Sequence, residues 1–492
     1  MQPPGAWGEE LFAGRNIRTN QPPPGLNIAR IEAVKSGEAH AMFFVLVILG
    51  LPVYSLLWWL WAHVALRRAG VGKAWRRALA AFVLLQVGVY GVLIASRFGA
   101  LSNDVPLSLI ASTYLWHLIA LPLGILLAVI AGVLALVAWV VRVGSARAKP
   151  ANIAPLGERA RKDSPHDSAH GGDSRGAFIT APTTARGDDA HGGAASPLEA
   201  PALSRRGALV ALAAGLPPAI SIVSTGVAMS QVRSFRVREL DIPVPGLPRS
   251  LEGMTIAHVS DIHVGRFTGG AVLKRISEAT SSLRADVVLV TGDIIDHSLD
   301  DLPAALDCLR AMDSRAGTFL CEGNHDLFQG AREFEDRVKA AGLPLLLDES
   351  ATVRVRGESI RLLGLRWATQ VRARKFVMHG ELPFSREPDA FSILLAHHPH
   401  AFDAAAKGGV GLTLAGHTHG GQLMLSPNLG LGPWMFRYWS GLYQRSGCAL
   451  VVSNGVGNWF PLRTNAPAEI VTLSPWSSRG VFEMKLITPF RA

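Results

Sequence analysis

Five short blocks of potential metal ligands, most of them closing an apolar run, constrain this chain more than any other feature. They are Asp261-Ile262-His263, Gly292-Asp293, Gly323-Asn324-His325-Asp326, His397-His398-Pro399 and Gly416-His417-Thr418-His419. Ala257 and Val259 lead into the first block, Val287 to Val290 into the second, Ser392 to Leu395 into the fourth and Leu412 to Leu414 into the fifth. Short apolar runs bounded by Gly, Pro or Asp read as buried strands. Side chains just past strand ends converge at one edge of a sheet, where open α/β folds build their sites. The five fragments therefore predict one pocket, with Asp, His and Asn side chains enough for two adjacent metal ions.

The surrounding sequence reads as an α/β domain from about Val232 to the C-terminus. Phe235 to Val244 alternates like a strand, and helical stretches are read at Ala271 to Leu283, Leu302 to Met312 and Ala331 to Ala341. Further strands are read at Thr352 to Val355, Ile360 to Leu365, Ala449 to Ser453, Glu469 to Leu473 and Phe482 to Ile487. Two mixed β-sheets packed together and flanked by helices satisfy this count.

The N-terminal part is of another kind. At 492 residues the chain exceeds one ordinary domain. Residues 1–40 form a polar arm. Ala41 to Leu66, Ala78 to Ser96 and Leu107 to Val141 are each long and apolar enough to cross a bilayer, which takes roughly 20 residues. The third run, interrupted by His117 and Pro122, suits one tilted helix with an interfacial lead-in at Ser108 to Trp116. Residues 142–204, rich in Ala, Gly, Ser, Asp, Arg and His, lack apolar periodicity and read as a disordered linker. Residues 207–230, kinked by Pro217 and Pro218, form a fourth span or, after Ser204-Arg205-Arg206, a twin-arginine-like segment. His63 and His117 read as interfacial.

Basic residues orient these spans. Arg67, Arg68, Lys73, Arg76 and Arg77 lie in the first loop, Arg142, Arg147 and Lys149 after the third span, and Arg205 and Arg206 before the fourth. The positive-inside rule places these segments in the cytoplasm. The C-terminal domain then faces the far side of a plasma membrane, which in a bacterium is the periplasm. The formal charge of +10 is read as topology signal plus solvated surface. No basic stripe interleaved with aromatics appears, which argues against a nucleic-acid partner. Cys308, Cys321 and Cys448 are odd in number and far apart, so they read as buried thiols rather than a disulfide framework.

Two divalent ions need ligands that fill both coordination shells and share at least one group. A carboxylate bridges and an imidazole does not, so Asp293 is the natural bridge. Imidazole, carboxylate and amide donors suit Mn, Fe, Zn or Ni better than Ca or Mg. Ions roughly 3.5–4 Å apart hold a hydroxide between them and clamp a phosphoryl group for in-line displacement. The remaining need is an acid for the leaving oxygen, which an imidazole meets near neutral pH.

The order D-x-H, G-D, G-N-H-D, H-x-P, G-H-T-H resembles the calcineurin-like metallophosphoesterase superfamily. Thr291-Gly292-Asp293 and Gly416 to Gln422 resemble its YkuE/YaeI-like branch, which includes transmembrane proteins with a metallophosphoesterase domain. The resemblance covers roughly residues 232–475. It implies one metal held by Asp261, His263, Asp293 and His419, and another by Asp293, Asn324, His397 and His417. It makes His325 the catalytic imidazole and Asp326 its orienting neighbour. Arg463 resembles a basic position near the site in this branch and reads as a contact for substrate phosphate or as a surface ion pair. His398 is not implied as a ligand. Asp296 reads as a turn or helix cap rather than a metal ligand, and His258 and His297 as groups that back the ligands or as structural groups. Trp434, Phe436, Tyr438 and Trp439 read as core packing or as a lip at the membrane.

The resulting expectation is a membrane-anchored dimetal phosphoesterase that cleaves phosphodiester, phosphomonoester or pyrophosphate bonds. Its partners are the lipid bilayer and a phosphorylated, lipid-linked or nucleotide-sugar substrate. Two alternatives stand beside it. One is UDP-2,3-diacylglucosamine pyrophosphate hydrolysis in lipid A synthesis, whose cytoplasmic substrate conflicts with the topology. The other is a non-catalytic membrane sensor of phosphorylated ligands.

Overall fold

The computed structural model describes residues 50–97, 104–147, 205–367, 382–384 and 390–477. The expected arm, residues 41–49 of the first expected span, most of the linker and the strand expected at Phe482 to Ile487 lie outside the described residues.

Two mixed sheets form the centre of the C-terminal domain. The first runs in the order β1 (Arg236–Pro243), β13 (Glu469–Trp476), β2 (Ile256–Val259), β3 (Val287–Thr291), β4 (Thr318–Cys321). The second runs β11 (Gly441–Arg445), β12 (Cys448–Val452), β8 (Leu412–Ala415), β7 (Phe391–Leu395), β6 (Glu358–Gly364), β5 (Glu349–Val355). β2, β3 and β4 are mutually parallel, as are β6, β7, β8 and β12. Their C-terminal ends therefore reach one edge of each sheet.

The sheets bury one another's inner faces through Ile256, Leu289, Ile393, Leu395, Leu414, Val451 and Leu473. The outer face of the first sheet, through Ala257, Val288 and Val290, packs on Ile276, Leu309 and Phe334 of three amphipathic helices at Ala271–Ser282, Leu302–Arg310 and Ala331–Ala340. β2 and β3 are thus buried on both faces, which explains runs that are apolar throughout rather than alternating. Cys308, Cys321 and Cys448 are buried free thiols.

The N-terminal helices are α1 (residues 50–68), α2 (Lys73–Arg97), α3 (Leu107–Leu115), a π-helical turn (Trp116–Ala120), α4 (Leu121–Arg147) and α5 (Arg205–Gln231). Three stretches of them, Lys73–Ser96, Leu107–Val143 and Gly207–Gln231, are long and apolar enough to cross a membrane. α1 covers the described part of the first expected span. α5 is helical through Pro217 and Pro218, and Gly124 on α4 leaves room for the Pro217 ring, where a Cβ would stand 2.5 Å from its Cγ.

Two readings of this region change. The lead-in Ser108 to Trp116 is not free at an interface: Ile110, Ala111, Leu115 and Trp116 are buried. His117 is buried too, its Nδ1 2.9 Å from the Thr113 carbonyl oxygen, to which it donates. Helices and domain meet through loops that follow the parallel strands. Phe267, beyond β2, packs with Val89, Leu93 and Ile110, while Phe460 and Leu462, beyond β12, pack with Leu115 and Ala228.

Ile393, wholly buried between the sheets, tests this core. Ile393→Ala is expected to cost about 2–5 kcal/mol, through lost transfer energy plus a cavity. Chemical denaturation of the full chain in detergent, followed by near-ultraviolet dichroism, would measure it.

Candidate metal centre

Every ligand block lies at the shared edge. Asp261 and His263 follow β2, Asp293 follows β3, Asn324 and His325 follow β4, His397 follows β7, and His417 and His419 follow β8. The loops are laced across both sheets by backbone bonds. Asp261 N–H donates to Gly292 O (3.0 Å), His263 N–H to Asp293 O (3.0 Å), Gly416 N–H to His397 O (3.0 Å) and Val456 N–H to Ser260 O (2.9 Å). Glycines permit this closeness. A Cβ at Gly323 would stand 2.2 Å from Asp293 Oδ1, and one at Gly416 would stand 2.1 Å from Asp261 Oδ2.

Five of the expected ligands hold left-handed backbone: Asp261 (φ 53°), His263 (47°), Asp293 (51°), His417 (72°) and His419 (49°). Each such conformation costs on the order of 1 kcal/mol for a residue bearing a Cβ. Their concentration at one pocket marks a functional site.

Among the described residues the side chains form three groups of ligand type; one, His263 with Asp296 and His325, borders the two that contain the expected ligands. Asp261, His263 and His419 make the first and Asp293, His397 and His417 the second, with the ligating atoms of each group within 4.8 Å of one another. In the first, His263 Nε2 lies 3.0 Å from His419 Nε2, and His419 Nε2 lies 3.3 Å from Asp261 Oδ1. In the second, His417 Nδ1 lies 3.2 Å from His397 Nε2. Asp293 Oδ2 joins them, 3.5 Å from His263 Nε2 and 3.0 Å from His397 Nε2. Asn324 Oδ1 is buried without a hydrogen-bond partner.

These observations fit two cations. Ligand atoms about 2.1 Å from one ion and at right angles to each other are about 3 Å apart, as the facing nitrogens are. The partnerless amide oxygen is a donor suited to the second ion. Charge points the same way. Burial pushes Asp261 and Asp293 upward, yet the surrounding imidazoles hold both well below the ordinary carboxylate range. Within each imidazole pair one ring takes the proton. Burial lowers His263, but Asp261, Asp296 and Asp293 more than offset this and raise it to about 10. His397 likewise rises to about 9 against its burial, through Asp293 and Asp261. Their partners go the other way: burial pushes His417 down to about 3 and His419 well below the imidazole range. Each pair thus draws in one positive charge where an ion would sit.

Three expectations about neighbouring residues are corrected. Asp326 does not orient His325. Its Oδ1 accepts from Ile294 N–H (2.7 Å) and Ile295 N–H (3.0 Å), and its Oδ2 from Gly323 N–H (2.8 Å), so it ties the Asp293 and Asn324 loops together. Asp296, expected to cap a turn, takes the orienting place. His325 Nδ1–H donates to the Asp296 carbonyl (2.6 Å), with the Asp296 carboxylate 3.4 Å away. That leaves His325 Nε2 to exchange protons.

Arg463 is neither a substrate contact nor a surface ion pair. It is only 4% exposed and donates to Asn458 Oδ1 (2.8 Å), Asn454 O (2.7 Å), Ala466 O (3.2 Å), Gly457 O (2.6 Å) and His419 Nδ1 (2.9 Å). These contacts occupy the five guanidinium N–H groups. Arg463 braces the loops behind His419; its bond to Nδ1 belongs to the metal-free ring, because a neutral imidazole that ligates through Nε2 carries its proton on Nδ1.

His258 stands behind the ligands, as expected, while sequence reasoning missed its partners Thr291 and Ser260 and the two tryptophans. His258 Nε2 donates to Thr291 Oγ1 (2.8 Å), Thr291 Oγ1–H to Ser260 Oγ (2.8 Å) and Ser260 Oγ–H to Asp261 Oδ2 (2.6 Å). Trp367, beyond β6, stands 5.5 Å from the His417 ring, and Trp459 stands 6.3 Å from the His325 ring, giving the pocket two aromatic walls. The aromatic cluster divides: Tyr438 and Trp439 are buried and Trp434 is exposed.

Comparison with known proteins agrees with this geometry. Residues 254–421 match the family model described as calcineurin-like phosphoesterase. The chain is 31% identical over 250 residues to the transmembrane protein with metallophosphoesterase domain of Danio rerio, covering 48% of this chain and 56% of that protein. It is 28% identical over 278 residues to the protein of the same name in Bos taurus, covering 52% and 62%. It is 30% identical over 237 residues to the metallophosphoesterase YkuE of Bacillus subtilis, covering 46% of this chain and 81% of that one. The chain thus spans little more than half the length of the two transmembrane relatives.

Metal loading should release protons. At pH 7 the metal-free site holds protons on His263 and His397, raised to about 10 and about 9, and ligation requires neutral rings. Loading two ions at pH 7 is expected to release about two protons, and fewer as pH rises through those values. Calorimetric titration in buffers of different ionisation heat measures the number; an absence of proton release would contradict this charge balance.

Proposed function

Because the chain belongs to the calcineurin-like metallophosphoesterase family, we propose that it is a membrane-anchored, two-metal hydrolase of phosphoric esters acting on a lipid-linked substrate. The observation that carries this reading is the Asp293 carboxylate shared between two ligand groups, with His325 at their side.

Asp261, His263, Asp293 and His419 would hold one ion, and Asp293, Asn324, His397 and His417 the other. Bound divalent ions supply the charge that activates water and neutralises phosphoryl oxygens. The chain's own residues do the rest. His325, its Nδ1 committed to the Asp296 carbonyl, delivers a proton from Nε2 to the departing oxygen. The Ser260–Thr291–His258 chain keeps Asp261 in place, and Arg463 braces the Asn454–Ala466 loop beside His419. Trp367 and Trp459 bound the space for the leaving group.

The lipid-linked class is supported by position. Phe267, Phe460 and Leu462, at the metal-bearing edge, pack on the apolar helices, so the pocket opens beside the bilayer. The basic residues at the α1–α2 turn, the end of α4 and the start of α5 belong to the helix ends away from these loops, which supports an extracytoplasmic domain. That orientation disfavours a cytoplasmic nucleotide-sugar substrate.

The test uses the full chain, stripped and reloaded with Mn, Zn, Fe or Ni, on bis(p-nitrophenyl) phosphate, a monoester and a pyrophosphate. His325→Ala is expected to lower kcat by about 10²–10⁴-fold with metal content unchanged. Asp293→Asn should lose metal and activity together. Tight binding of two ions without hydrolysis of any substrate would favour the sensor instead.

A further inference from the structure

The segment from Leu423 to Phe436 carries no Asp, Glu, Lys or Arg, yet much of it is outside the core. It folds as a hairpin of β9 (Met424–Ser426) and β10 (Leu429–Gly430), followed by a short helix, Leu431–Met435. Leu425 is 79% exposed, Leu429 60%, Trp434 81% and Met435 54%. Such a concentration of exposed apolar side chains marks an interaction surface, unlike singly scattered ones.

The segment is held firmly on its inner side. Met424 and Trp439 pack together. A Cβ at Gly432 would stand 2.7 Å from the Trp439 ring, and one at Gly421 2.6 Å from Gly432 Cα. The exposed residues therefore belong to a docked element and do not await a place in the core.

Its base shows what covers it. Leu423 packs with Leu115 and Ala228 of the apolar helices and with Phe460 and Leu462. Leu423 is also strapped to this loop through its bridge to Thr464, and Gln422 Nε2–H donates to Leu462 O (2.6 Å). Arg463 N–H in turn donates to the Gln231 side chain at the end of α5 (3.1 Å). The hairpin thus continues the contact between domain and membrane helices, on the side of the pocket where Phe436 stands 5.8 Å from the His417 ring. Trp at a bilayer surface is favoured because its ring is amphipathic, and a charge-free hairpin loses little on entering the headgroup boundary.

We infer that this hairpin and helix form a lip that enters the bilayer surface beside the metal centre, with Trp434 and Leu425 among the lipids. The inference rests on the reading of the N-terminal helices as membrane spans and deepens the proposed function. It makes the lip part of the route by which a lipid-borne phosphate reaches the ions.

The test uses the full chain in phosphatidylcholine nanodiscs. The native cysteines are buried, so single introduced cysteines take an environment-sensitive fluorophore. Leu425→Cys, Leu429→Cys and Trp434→Cys probe the lip. Val137→Cys, on an exposed face of α4, is the membrane control, and Ser359→Cys, exposed near the start of β6 at the edge away from the pocket, is the aqueous control. With doxyl-labelled lipid, the lip probes are expected to be quenched by a fold-change comparable to that of the membrane control, while the aqueous control is unchanged. Lip probes that behave like Ser359→Cys while Val137→Cys is quenched would overturn the lip and leave the spans standing. Lip probes shielded from aqueous iodide but not quenched by lipid would overturn it in favour of protein contact, such as a second copy. An unquenched Val137→Cys would overturn both the spans and the lip. Because no arm reads hydrolysis, none is confused with failure of the enzymatic reading.

Discussion

The Asp293 carboxylate is the constraint on which the rest of this structure turns. One oxygen accepts the His325 N–H (2.8 Å), while the other lies between His263 and His397. It therefore couples β3 of the first sheet to β7 of the second and sets the separation of the two ligand groups. A buried carboxylate without such neighbours would be neutral at pH 7, because desolvation penalises its charge. In this pocket the imidazoles overcome that penalty and keep it ionised, so the ligand edge is a charge-balanced unit. Removing a member leaves charge behind in a dry place, which costs more than the lost contact alone.

That unit explains why the backbone tolerates strain. Five ligand residues in left-handed conformation are unfavourable together, and they persist only where neighbours over-determine them. The parallel strands fix where each loop begins. Loop-to-loop bonds such as Gly457 N–H to Asp261 O (2.9 Å) and Ser453 N–H to Ala415 O (2.8 Å) fix where it goes. Asp326, with three backbone N–H groups on its carboxylate, belongs to this bracing. The family resemblance implied that it orients His325, but adjacency along the chain does not decide which way a side chain turns after a tight bend.

This marks how far sequence reading reaches. Strands β2, β3, β7 and β8 were legible because an apolar run ending in a polar ligand is a local pattern. Asp293 stood out from coordination chemistry alone, and its carboxylate lies between His263 and His397. Asp296 as the partner of His325, the Thr291–Ser260–Asp261 chain and the place of Arg463 behind His419 were not legible. Each depends on contacts between segments about 30 to more than 40 residues apart in the chain. Their residue types, Ser, Thr, Asp and Arg, are also common on surfaces. The lead-in to α4 was misplaced for a related reason: its apolar composition fits an interface or a buried contact equally well.

Helix length joins the two halves of the molecule. Leu107–Val143 runs for 37 residues, about 55 Å at 1.5 Å per residue, whereas the hydrocarbon core is about 30 Å thick. The excess is not spread evenly. Leu126, Val133, Leu136, Trp139 and Val141 are exposed, as side chains facing lipid would be, while Ile110, Leu115, Trp116 and Ala120 are buried. The first two turns and the π-helical turn that follows are the part that meets Phe267, Phe460 and Leu462. This long apolar helix serves in the molecule as a post, and the loops that grip it follow β2, which carries Asp261 and His263, and β12, the parallel neighbour of β8. The topology that gathers the ligands at one edge therefore also turns that edge toward the apolar helices.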